Sequence, residues 1–214
     1  MRRVTTFCYN TIQMSVKNLT LQKTLPYILL IGGLIGYICA FVIMFDKIKI
    51  LNNPHYVPSC NLNPIISCGS VMQSKQANIF GFPNPFIGLG AYPVIAMIGA
   101  AMLAGAKFKR WFWLGLEIGL SLSLAFAYWL LLESVYRIHA LCPYCLGIDV
   151  VEITVSWYVT LYILDNKLIR LPKGKPQKIY AWIRAHHLDI LVAWLLIITI
   201  IIIKHFWYYY GKNF

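Results

Sequence analysis

The chain has 214 residues, 59% of them hydrophobic and only 12% charged. A soluble domain carries about 25% charged residues, so this composition excludes an ordinary soluble globular protein and indicates a polytopic membrane protein of one compact bundle. The net charge of +12 reads in such a chain as a topology signal, not a nucleic-acid footprint. Residues 1–25 are polar and mixed, without an apolar core or cleavage site, so no secretory signal peptide is expected.

A spanning helix needs roughly 20 mostly apolar residues. Five stretches meet this: Pro26–Phe45, Asn84–Ala106, Trp111–Glu133, Cys142–Leu164 and Leu188–Trp207. The last ends in an aromatic run, Phe206-Trp207-Tyr208-Tyr209-Tyr210, suited to a headgroup belt. Basic residues set the orientation. Arg2, Arg3, Lys17 and Lys23, then Lys107, Lys109 and Arg110, then the run from Lys167 to Arg184 fall on one side. They outnumber Lys47, Lys49, Lys75, Arg137, Lys204 and Lys212 on the other. The positive-inside rule then puts the N-terminus in the cytoplasm and the loop from Asp46 to Pro83 outside. The expected divisions are a cytoplasmic tail at 1–25, a bundle at 26–165, a basic cytoplasmic loop at 166–187 and a fifth helix with its tail at 188–214.

Four of the six cysteines fall on the outer side as two pairs. Cys142-Pro143-Tyr144-Cys145 is a C-x-x-C at the start of an apolar segment. Proline is well placed just inside a helix start, and a helix N-terminus favours a thiolate. The residues thus read as a redox dithiol at the top of a helix; a zinc half-site or two incidental membrane cysteines are the alternatives. Cys60 and Cys68, eight residues apart, lie in the outer loop, where the compartment permits disulfides. A structural loop disulfide is the plainer reading of that pair alone. Cys8 reads as a free thiol and Cys39 as a small packing residue. The loop's apolar groups, among them Ile65-Ile66, Val71-Met72 and Ile79 to Pro83, suit a cap on the bundle.

Two dithiols on one membrane face suggest an electron relay: a soluble partner exchanges with the loop pair, the loop pair with the helix-top pair. The acceptor must then come from the membrane, and a lipid quinone is the natural two-electron candidate. Cys142, Cys145, Asp149, Glu152 and Ser156 share one helix face, and Glu117, Ser121 and Tyr128 share another. A cavity ringed by these groups would hold a quinone headgroup and exchange its protons. Helix–helix hydrogen bonding is the alternative role for them.

In order, these residues are a Cys-x7-Cys loop pair, Ser70-Val71-Met72-Gln73-Ser74, Ile79-Phe80-Gly81-Phe82-Pro83-Asn84-Pro85-Phe86-Ile87-Gly88, and a C-x-x-C that opens a helix. The combination resembles the vitamin K epoxide reductase family, bacterial branch, over about residues 26–165. The resemblance implies an all-α membrane protein: a four-helix transmembrane bundle around a quinone, a long extracytoplasmic loop that caps it, and here a fifth transmembrane helix. It implies that Cys60 trades disulfides with the partner, Cys68 passes the exchange to Cys142, and Cys145 is the quinone-proximal thiol. Ser74 resembles the hydroxyl residue that supports the site. Asn84 matches an asparagine that hydrogen-bonds a quinone oxygen; as a residue before Pro85 it reads equally as a helix N-cap. Asp149 stands where animal members carry a tyrosine, and Gln76 where an aromatic residue is common.

The resemblance implies a membrane thiol:quinone oxidoreductase in the bacterial inner membrane. It would reoxidise a thioredoxin-fold protein of the DsbA type, using a menaquinone-type or ubiquinone-type acceptor and no metal. Many bacterial members continue into a fused thioredoxin domain, whereas this sequence stops at Phe214, so a separate partner is expected. Three other functions remain on the sequence alone: reduction of a quinone epoxide by the same cysteines, a four-thiolate metal site, and an assembly subunit with structural disulfides. The eight-residue interval fits zinc spacing poorly.

Overall fold

The computed structural model describes the backbone of residues 2–169 and 175–210, and the side chains of residues 21–169 and 177–207. Cys8 lies outside the described side chains. The elements are α1 (Arg2–Asn52), α2 (Cys68–Gln73), a 3-10 turn (Lys75–Asn78), α3 (Pro85–Leu103), α4 (Arg110–Glu133), a π turn (Ser134–Ile138), α5 (Pro143–Asp165), α6 (Lys175–Ala185) and α7 (His187–Tyr210). Five helical stretches are long and apolar enough to cross a membrane: Leu21–Asn52, Pro85–Leu103, Arg110–Ile138, Pro143–Asp165 and His187–Trp207. The chain is an all-α membrane protein.

The first helix corrects the sequence-based limits at both ends. It neither starts at Pro26 nor stops at Phe45. Asp46, Lys47 and Lys49 belong to it rather than to the loop. Charge suggests an end there, but Ile43, Lys47 and Ile50 are all buried at the i, i+4, i+7 spacing of one helix face. The helix continues because that face has something to cover.

Helices α1 and α3 approach closely because small residues face each other. A Cβ on Gly33 would stand 2.5 Å from the Ala96 nitrogen, and one on Gly99 would stand 2.5 Å from the Leu30 nitrogen. In lipid, such contacts replace the hydrophobic effect as the cause of helix association. α5 is the most enclosed span and packs against both α1 and α4. Trp113 and Tyr162 meet with ring centres 4.4 Å apart, and the Thr160 hydroxyl donates to Glu117 Oε1 at 2.6 Å. Glu117 therefore serves the α4–α5 contact.

The fifth helix packs against the bundle. Leu191 joins the main core, and Trp194 stacks on Tyr128 and meets Trp157 edge-on. The Trp157 indole N–H donates to the His187 carbonyl at 3.1 Å. α6 is pinned to α5 by Arg184, whose Nε lies 3.1 Å from Asp165 Oδ1, and by the Tyr180 hydroxyl on the same oxygen.

Candidate active site

The segment before α2 is a folded loop, not a slack one. Asn63 Oδ1 accepts from the backbone N–H groups of Ile65 and Ile66 at 2.9 and 2.7 Å. Asn61 Oδ1 accepts from the Gly69 N–H at 2.9 Å. These bonds bring Cys60 and Cys68 together as a disulfide, with Cα atoms 5.7 Å apart. Ser67 caps α2 by accepting from the Ser70 N–H at 3.3 Å, which fixes Cys68 at the first helical position.

A parallel bridge joins Ile66 to Leu141. The Leu141 N–H donates to the Ile65 carbonyl at 2.7 Å, and the Ser67 N–H donates to the Leu141 carbonyl at 2.9 Å. The residue before Cys68 is thus bonded to the residue before Cys142. Cys60, Cys68 and Cys142 fall in one buried cluster with Cys145 packed against it. Cys68 is 0% exposed, Cys142 2% and Cys60 7%. The two sequence pairs meet at one end of the bundle, held there by a two-bond strap.

Cys142 is the N-cap of α5, with Pro143 at the first helical position, and its sulfur accepts from the Cys145 N–H at 3.4 Å. Cys142 and Cys145 are free thiols. The Cys142 thiol is held below the usual range chiefly by the hydrogen bond from the Cys145 thiol; burial pushes the other way, and the backbone N–H groups of Cys145 and Tyr144 add to the lowering. Cys39 is free and half-buried, its sulfur 3.4 Å from where a Cβ on Gly147 would stand.

A cavity of about 670 Å³ opens beside this pair, lined mainly by apolar side chains of α1, α3, α4, α5 and the loop. Cys142, Cys145, Asp149 and Glu152 descend one wall, and Ser74 and Asn84 lie on the loop side. Neither of the last two points a free polar group into it. The Ser74 hydroxyl donates to the Val71 carbonyl at 2.7 Å. Asn84 makes no side-chain cap; its amide donates to the Gln76 carbonyl at 2.8 Å and its oxygen accepts from the Ile79 N–H at 3.4 Å. The N-cap reading of Asn84 gives way to a loop clasp. The α4 wall also differs from expectation: Gly115, Gly119, Ser123 and Phe126 face the cavity, while Glu117 and Tyr128 face α5 and α7.

Two cavity groups escaped the sequence reading. Lys47, taken there as a topology charge, is 6% exposed; its ammonium donates to the Met72 carbonyl at 2.6 Å and so ties α1 to α2. Tyr92 on α3 donates to Glu152 Oε2 on α5 at 3.2 Å, while Glu152 Oε1 has no hydrogen-bond partner among the described residues. Lys47 had a signal in its i+4 spacing from Ile43. Tyr92 had none beyond its place in an apolar helix.

The model of the vitamin K epoxide reductase family matches residues 27–160. The chain belongs to that family. A comparison with curated proteins found no match. The matched region begins within α1 and ends near the close of α5, and so contains both cysteine pairs, the strap and the cavity. Membership makes this a multi-pass membrane thiol/quinone oxidoreductase of a family that works with thioredoxin-fold partners. The cavity fits a quinone in kind: it is large, mostly apolar, and carries few polar groups, among them the unpartnered Glu152 oxygen. Among the described residues, no group of three or more His, Cys, Asp or Glu is placed to hold a metal ion.

Proposed function

We propose that the protein reoxidises a thioredoxin-fold protein of the DsbA type and passes the electrons to a membrane quinone, so driving disulfide formation in exported proteins. The observation that carries this reading is the strap: one hydrogen-bonded bridge sets Cys68 beside Cys142.

The steps balance as thiol–disulfide exchange. The partner's dithiol reduces the Cys60–Cys68 disulfide, entering at Cys60, the more exposed of the two. The Cys68 thiolate attacks Cys142 of the oxidised Cys142–Cys145 pair; a Cys68–Cys142 bond forms and Cys145 leaves as a thiolate. Cys60 then attacks Cys68, restoring the loop disulfide and releasing Cys142. A thiol held below the ordinary range is a good leaving group, which suits Cys142 to that release. The resulting dithiol gives up two electrons and two protons as its disulfide reforms. A quinone supplies the two-electron, two-proton acceptor for that step. Cys145 stands at the cavity wall with Asp149 and Glu152 below it, groups suited to hold and move protons there. Ser74 and Asn84 keep the loop closed over the cavity by their bonds to Val71, Gln76 and Ile79.

In this reading residues 26–165 form the catalytic unit, the cysteine end faces outward from a bacterial inner membrane, and the basic segments of 1–25 and 166–187 lie in the cytoplasm. The test is reconstitution of the purified protein with a reduced DsbA-type protein and a short-chain naphthoquinone or ubiquinone, followed by quinone absorbance. Turnover is expected, and loss of it in both Cys60→Ser and Cys145→Ser. No turnover with either quinone, or turnover indifferent to Cys145, overturns the reading.

A further inference from the structure

Helix α7 lies wholly beyond the residues matched to the family, yet its C-terminal turns touch the relay. Phe206 is 1% exposed and forms one cluster with Ile65, Val135 and Leu141; Ile202, one turn earlier, packs against them. Ile65 and Leu141 are the residues whose backbones bond across the strap. His205 adds a second hold: its ring meets Tyr136 edge-on at 4.8 Å and lies parallel to His139 at 5.8 Å. Tyr136 and His139 belong to the turn that leads into Cys142. That turn closes with His139 in the left-handed region at φ 55°, which a non-glycine residue adopts only when its surroundings hold it.

A bridge of two backbone hydrogen bonds does not hold itself in register; even a full two-stranded hairpin is marginal alone. Phe206 shares one buried cluster with both sides of this one, Ile65 upstream of Cys68 and Leu141 upstream of Cys142. Among the described residues, α7 contributes nothing to the cavity wall. Its N-terminal half packs on α4 and α5, and its C-terminal turns meet the strap and the turn before Cys142.

We infer that α7 is a buttress of the thiol relay and that Phe206 is a positioning residue, setting the approach of the Cys68 sulfur to the Cys142 sulfur through Ile65 and Leu141. The inference rests on the relay proposed above. Exchange requires the attacking thiolate in line with the S–S bond, and a displacement of about 1 Å in such a geometry can cost about a hundredfold in rate.

Two measurements test it. In a protein carrying Cys8→Ser, Cys39→Ser, Cys60→Ser and Cys145→Ser, only Cys68 and Cys142 remain. Dilute diamide joins them, taking two electrons and two protons from the thiols. Phe206→Ala is expected to slow this joining by about tenfold, and Phe206→Leu, which keeps most of the apolar volume, to restore it to within about threefold. The second measurement separates the half-reactions. Phe206→Ala is expected to lower turnover with the thioredoxin-fold partner by about tenfold. Dithiothreitol-driven quinone reduction in a Cys60→Ser/Cys68→Ser background, which bypasses the strap, should change by less than about twofold. Where Phe206→Ala fails to fold, Ile202→Ala carries both measurements, with about threefold slowing expected from its smaller contact. An unchanged joining rate, or an equal fall in both half-reactions, overturns the inference. The joining assay needs neither quinone nor partner, so it distinguishes a failed buttress from a failed relay.

Discussion

Lys47 shows how one residue's meaning depends on a distant partner. Its ammonium is buried and donates to the Met72 carbonyl, and Met72 sits in the short helix that carries Cys68. Lys47→Met keeps the length and removes the donor. The carbonyl is then buried without a partner, and a hydrogen bond from a charged group is worth about 1.5–3 kcal/mol. A lower thermal unfolding midpoint in detergent is the expected result. Cys142 offers a second test at this scale. Its thiol is held below the ordinary range, first by the hydrogen bond from Cys145, so its thiolate forms at lower pH than that of a free cysteine. The ultraviolet thiolate absorbance of the fully reduced protein, minus that of Cys142→Ser, should rise at a pH below the midpoint of free cysteine. A rise at or above that midpoint would contradict the geometry at the α5 N-terminus. The place of Cys142, Cys145 and Asp149 at the top and on one face of a helix was legible because spacing alone sets it, whereas the loop pair Cys60 and Cys68 read by itself as a structural disulfide. Lys47 was misread because its partner is far away in the chain, and hydropathy treats any lysine near an apolar edge as the edge.

At the scale of elements, α1 and α3 depend on two glycines that admit the opposing backbone. Gly99→Ala puts a carbon 2.5 Å from the Leu30 nitrogen and 2.6 Å from the Pro26 carbonyl oxygen. Neither is the flexible end of a side chain, so the helices must part. Overpacking of this kind costs about 1–3 kcal/mol, read again as a fall in the unfolding midpoint. Gly90, whose added Cβ would meet nothing within 4 Å, is the control on the same helix. Asn84 makes a different prediction. It clasps Gln76 and Ile79, so Asn84→Ala should quicken proteolysis between 74 and 84 even without quinone. Unchanged cleavage would return Asn84 to the cavity as a ligand only. The five spans were legible because each is a long apolar run. The face of α4 that borders the cavity was not. Periodicity grouped Glu117 and Tyr128 correctly on one side, but which neighbour that side meets is decided by packing with α5 and α7.

For the whole molecule, orientation is the open prediction, and it follows from charge. Asn53 is exposed just past α1, and Lys107 is exposed between α3 and α4. In intact cells expressing a protein otherwise free of cysteine, Asn53→Cys should react with a membrane-impermeant maleimide and Lys107→Cys should not. The opposite pattern would invert the topology and put the strap on the reducing side, where its disulfide would not persist.

In the proposed relay, the strap also decides which thiols can take part. Small thiols in solution compete with Cys68 for the Cys142–Cys145 disulfide, and they compete by concentration. A neighbour held in place acts instead at an effective concentration set by the tether, about millimolar even for a slack one. Cys68 and Cys142 are both almost completely shielded from solvent, so a dilute free thiol competes poorly and only a concentrated one, such as added dithiothreitol, drives the exchange. The proposed relay would therefore run along an insulated path: electrons admitted at Cys60 would reach the membrane with little exchange with the surrounding redox buffer, and the potential of the two pairs need not follow the medium outside.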